Sequence, residues 1–160
     1  MRRLRAERAP AALAAVQQSL RELLAYAEGS GIRLGLENRY HYREFPSPDE
    51  LEILLGLAGP EKMGFWLDIG HAYHLEKLGF YPHQEWLERF SRRIVGAHLH
   101  DVRGIYDHYT AGTGEVDFAQ VAACLPADAN RTLEYNQMNS AEQIKASLPY
   151  LLEHGCIQAR

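Results

Sequence analysis

The chain of 160 residues is 46% hydrophobic and 24% charged, the balance of a globular protein with a single core. Its net charge of −4 disfavours a nucleic-acid binder, whose affinity rests on Lys and Arg. No apolar run approaches the roughly 18 residues of a membrane span, and the basic, Ala-rich start lacks the apolar core and cleavage pattern of a secretion signal.

Residues 1–9 read as a flexible basic tail. From about Pro10 to Glu28, apolar residues at Leu13, Val16, Leu20, Leu23, Leu24 and Ala27 trace one helical face, which Gly29-Ser30-Gly31 stops. "IRLGLEN" reads as a strand ending near Glu37. Ser47-Pro48-Asp49-Glu50 then supplies an N-cap, a proline at the first helical position and an acid three residues after the cap, so a second helix is expected through Leu55.

"MGFWLD" is a short buried strand ending at Asp68, followed by a loop, a helix over "HQEWLERFSRR" and a strand over "IVGAHLHD". "DFAQVAACL" reads as a helix, "RTLEY" as a strand, and "SAEQIKASLPYLLEHG" as a last helix capped by Ser140, which Pro149 kinks or shortens. Cys124 and Cys156 stand in no metal or redox spacing and read as reduced thiols of a cytoplasmic protein.

A helix followed by four strand–helix pairs argues for an α/β fold with parallel strands. The strand-end residues Glu37, Asp68, His98 and Glu134 are 31, 30 and 36 positions apart. A (β/α)8 barrel uses about 31 residues per unit, so the spacing is that of a barrel and the count that of half a barrel.

Taken singly, these residues have ordinary readings. A carboxylate ending a strand is commonly a turn or cap residue, and a lone histidine a core residue bonded to a carbonyl. One metal-binding residue per strand, in register, points instead to a common site at the strands' C-terminal ends. Three carboxylates and one imidazole suit Mn, Mg, Co or Zn. A cation would also relieve the repulsion among the acids.

His98 and His100 are two apart and so share a strand face, one free to ligate and the other to meet substrate or a second metal. His108 is either a loop histidine or another ligand. Gly112-Thr113-Gly114 is too short to claim as a phosphate cradle. His74, His83 and His154 read as solvated, and Trp66 and Trp86 as packing residues.

The ordered set "LGLENR", "FWLDIGHA", "GAHLHDVRG" with "DH" and "GTGEVDF", and "TLEY" resembles the successive signatures of the xylose isomerase-like barrel superfamily, over about residues 10 to 155. The resemblance implies a (β/α)8 TIM-barrel type of fold, with residues 1–160 forming a single domain that supplies its C-terminal half, about four βα units after a helix. It implies a divalent metal on Glu37, Asp68, His98 and Glu134, with Glu37 and Glu134 as the acid/base pair and His71, His100 and Asn38 on the substrate. A second metal would draw on His71 and His108. Multi-zinc relatives carry an acid two places before that last histidine, where this chain has Tyr106; Asp107 is displaced by one.

The implied reaction is isomerisation or epimerisation of a sugar or sugar phosphate, by proton transfer through a metal-stabilised enediolate. Two readings compete with it: an endonuclease IV-type multi-zinc phosphodiesterase acting on DNA, and a catalytically incomplete metal-binding half-barrel. Half a barrel leaves open strand edges near residues 33–37 and 131–135. A longer reading frame, or a homodimer or higher oligomer, is expected to cover them.

Overall fold

The computed structural model describes residues 2–158. Helix α1 (Arg2–Tyr26) leads into strand β1 (Leu34–Glu37), then α2 (Pro48–Leu55), β2 (Met63–Asp68), α3 (Ile69–Lys77) and α4 (His83–Phe90). A 3-10 turn over 91–93 precedes β3 (Ile94–Leu99). A hairpin of β4 (Asp101–Arg103) and β5 (Tyr106–Tyr109) follows, and then α5 (Phe118–Cys124), β6 (Asn130–Leu133) and α6 (Ala141–Glu153). Four strands make one parallel sheet in the order β1-β2-β3-β6, in which Asp68 lies beside His98 and His98 beside Thr132. This is the α/β arrangement of half a barrel, with the four strand ends along one rim.

Local chemistry accounts for the elements. Ser47 and Glu50 form a reciprocal capping box that starts α2, and Ser140 and Gln143 form another at α6. Pro149 lies within α6, which runs on to Glu153. On β2, Met63, Phe65 and Leu67 alternate onto the helical side and are fully buried. Phe65 packs against Trp86 and Phe90 of α4, a burial that contributes on the order of 2 kcal/mol for such a side chain.

Three expectations need correction. The stretch read as a tail is helical from Arg2, and Met1 lies outside the described residues. Arg5 anchors it: its Nε donates to the Tyr42 carbonyl at 2.7 Å and its two terminal nitrogens to Glu50 at 2.8 and 2.6 Å. The "loop" after β2 is helix α3, hidden because Asp68 both ends the strand and caps the helix, accepting from the His71 N–H.

The histidines expected in solvent are partnered. His74 is buried, donating from Nδ1 to the Ile105 carbonyl and stacking on Tyr40. His83 is buried against Glu76 and Tyr73. His154, half-buried, donates from Nδ1 to the Tyr150 carbonyl. Among the described residues, no helix is long and apolar enough to cross a membrane.

Candidate functional site

The four strand ends bring their side chains to one nitrogen. His98 Nδ1 lies 3.2 Å from Glu37 Oε1, 3.3 Å from Asp68 Oδ2 and 2.8 Å from Glu134 Oε2. Burial pulls the His98 imidazole down, but hydrogen bonds to Asp68 and Glu37 and the charge of Glu134 outweigh it and raise its pKa to about 10. A proton is thus held tightly at the meeting point of three acids, where a cation is electrostatically favoured.

Asp68 is the most constrained of the set. It is fully buried, and burial alone would favour its neutral form; hydrogen bonds from His100 and His98 reverse this and hold it far below the carboxylate range. Its Oδ1 accepts from the His71 N–H at 2.8 Å and lies 3.1 Å from His100 Nε2. Glu37 is opposed by burial in the same way but held low by His98 and by Arg39, whose guanidinium donates to its other oxygen at 2.5 Å. Beneath the acids lies Trp66, its ring edge-on to His98 with centroids 5.4 Å apart. A Cβ at Gly96 would sit 2.4 Å from that indole, so glycine there makes room for it.

A second cluster adjoins the first. His71 donates from Nδ1 to the Asn38 carbonyl at 2.9 Å, which leaves Nε2 available as a donor of electrons 3.9 Å from Asp107 Oδ2. His108 bonds the other Asp107 oxygen from Nδ1 at 2.7 Å, and that bond leads the raising of its pKa. Its Nε2 is 3.6 Å from Glu134 Oε1, so Glu134 links the clusters. Asp107 Oδ2 is buried and has no hydrogen-bond partner among the described residues, the kind of orphaned acceptor that calls for a cation or a ligand proton.

Donor atoms of Glu37, Asp68 and His98 lie within 4.8 Å of one another, as do those of His71, Asp107 and His108, and those of Asp68, His100, His108 and Glu134. By donor chemistry, the oxygen-rich first group fits a hard or borderline divalent ion.

Two residues expected on the substrate are fully buried in this structure. Asn38 is fully buried; its side-chain amide donates to the Asp68 carbonyl and accepts from the Asp68 N–H, both at 2.8 Å. His100 is fully buried too, packed beneath Asp68. The strand ends at Leu99, so the two-residue alternation that put His100 beside His98 no longer holds there. His71, by contrast, faces the second cluster.

Sequence reasoning gave Asp101 no structural role. Its carboxylate accepts five backbone N–H groups, those of Val102, Gly112, Thr113, Gly114 and Val116, at 2.8–3.0 Å. The glycine-flanked loop is therefore a cradle for an internal anion. An acid followed by a G-T-G turn was the available signal.

A family model described as a xylose isomerase-like TIM barrel matches residues 2–154. An uncharacterized protein of Methanocaldococcus jannaschii is 28% identical over 141 residues, 84% of this chain and 47% of that protein. Among solved structures, a D-tagatose 3-epimerase-like protein superposes with a TM-score of 0.70 at 25% identity, over 89% of this chain and 54% of its own. The 3-keto-D-glucoside 4-epimerase YcjR from E. coli does so with a TM-score of 0.63 at 20% identity, over 88% and 53%, a likeness of fold. The chain spans about half the length of these relatives.

Proposed function

This chain belongs to the xylose isomerase-like TIM barrel family, and from that premise we propose that it acts as a divalent-metal-dependent isomerase or epimerase of a sugar or sugar phosphate. The observation that carries the reading is the meeting at the Nδ1 of His98 of three carboxylates, two that end β1 and β2 and one that directly follows β6. Glu37, Asp68, His98 and Glu134 would hold Mn, Co, Mg or Zn. Such an ion, when bound, would polarise the carbonyl and adjacent hydroxyl of a ketose and so acidify the C–H of the hydroxyl-bearing carbon next to the carbonyl.

The chain's own residues do the rest. Glu37 ends one outer strand of the sheet and Glu134 directly follows the other, so they flank whatever lies over Asp68 and His98. One carboxylate takes the proton from carbon and the other returns it, the general acid–base pair of the reaction. His98 and, after it, Arg39 hold the Glu37 carboxyl below its ordinary value against the effect of burial. His71 offers Nε2 to a substrate hydroxyl.

The test is incorporation of solvent deuterium into a panel of ketoses and ketose phosphates, with Mn2+ or Co2+ present. Carbon-bound deuterium in one substrate is expected, and its loss in both Glu37→Gln and Glu134→Gln. No exchange across the panel, with the ion bound, would overturn the reading.

A second reading, a multi-zinc phosphodiesterase, is favoured by the orphaned Asp107 oxygen between His71 and His108. Metal content separates the two: one ion per chain for the isomerase, two or three for the phosphodiesterase. Metal uptake without either activity would indicate a half-barrel that binds but does not turn over.

We also propose a cytoplasmic homodimer or higher oligomer. Among the described residues, the outer edges of β1 and β6 lack strand partners, and Ile144, Leu148 and Leu152 form an exposed apolar stripe along α6. Sedimentation at micromolar concentration is expected to show an assembly; a monodisperse monomer would refute it.

A further inference from the structure

We propose that His100 is a positioning residue whose Nε2–H fixes the Asp68 carboxylate for the ion, with its own ring set by the backbone of His108; this rests on the metal reading above. The tautomer follows from obligate chemistry. A backbone N–H can only donate, and that of His108 lies 3.0 Å from His100 Nδ1. Nδ1 therefore carries the lone pair and Nε2 the proton. That proton faces both Asp68 oxygens, at 3.1 and 3.2 Å.

The ring has no room to turn. A Cβ at Gly70 would stand 2.0 Å from its Cε1, and the His108 ring lies almost parallel over it, centroids 4.3 Å apart and 7° between planes. His108 aims its N–H there only by adopting a left-handed backbone, φ 62°, unusual for a residue with a side chain. That conformation is held on its other side, where the His108 carbonyl accepts from Asn136 N–H at 3.0 Å and from the Asn139 amide at 2.9 Å.

His100 also shares a potential donor group with Asp68, His108 and Glu134. Its tautomer excludes it as a ligand there, since Nε2 bears a proton and Nδ1 is engaged. What it does instead is tie the hairpin that carries Asp107 and His108 to the buried acid of the first cluster. Outer partners of this kind typically change metal affinity 10- to 100-fold when removed.

The experiment compares Co2+ binding, by visible absorption, in the wild type, His100→Phe and His100→Gln. Phenylalanine fills the same space without a donor, and glutamine restores one. A dissociation constant raised about 10- to 100-fold in His100→Phe is expected, with most of the loss recovered in His100→Gln. Equal affinity in all three would overturn the proposal.

A second readout needs neither metal nor variant: 15N spectra of the wild type should show His100 protonated at Nε2 and bare at Nδ1. The opposite tautomer overturns the inference. Wild-type protein that takes up no Co2+ would overturn the metal reading by itself, with the tautomer still deciding whether His100 holds Asp68.

Discussion

Replacing Asn38 with alanine separates two roles for that residue. The Asn38 amide makes two hydrogen bonds of 2.8 Å to the N–H and carbonyl of Asp68, and both residues are fully buried. Alanine removes both partners and leaves two peptide groups without water or protein to bond. Each such group costs about 1–3 kcal/mol. Allowing some collapse of the backbone around the smaller side chain, the loss is about 2–4 kcal/mol. For a chain of this size each kcal/mol lowers the melting temperature by about 2–4 °C, so a fall of roughly 10 °C is expected. Urea unfolding of Asn38→Ala beside the wild type measures it. A residue whose task is to touch substrate would lose substrate affinity with stability intact. A loss below about 0.5 kcal/mol, the ordinary range of surface substitutions, would refute the bracing role.

Gly70→Ala drives a methyl group to within 2.0 Å of His100 Cε1, and the strain should cost about 1–3 kcal/mol in urea unfolding and weaken Co2+ binding along with it. Asp101→Ala strips five backbone N–H groups of their acceptor, so hydrogen exchange at residues 112–116 should accelerate by an order of magnitude or more, about 1.4 kcal/mol of lost local protection per tenfold. Burial pushes the Glu50 carboxyl up, but the Arg5 hydrogen bond and charge outweigh it and hold it below its ordinary value. A depressed carboxylate stabilises the fold above its unfolded pKa, about 4.3, and that contribution is lost as pH falls through the folded value. Glu50→Gln should therefore flatten the acid limb of the stability–pH curve below about pH 4.3; an unchanged limb would refute the assignment.

The parts of the fold that were legible are those with local punctuation. Ser47-Pro48-Asp49-Glu50 writes out a helix start whatever surrounds it, and the apolar run to Asp68 can only be a buried strand. The regular spacing of strand ends carried the rim residues, because parallel strands with equal crossovers must end at one level. What stayed hidden was chemistry with two uses. Asp68 ends a strand and caps a helix in one residue, so no turn marks the start of α3. His83 and His74 looked solvent-facing because their partners, Glu76 and the Ile105 carbonyl, come from other elements. His100 and Asn38 looked like substrate contacts because polar residues near a rim usually are. The chain turns after Leu99 and carries one ring underneath, a path that no local motif announces.

The order of strands has a consequence for how such a protein diversifies. All four prospective donors hang from adjacent staves of a single curved wall, and nothing from an opposing wall is needed to assemble them. Changes to whatever faces that wall therefore leave the meeting of these four side chains undisturbed.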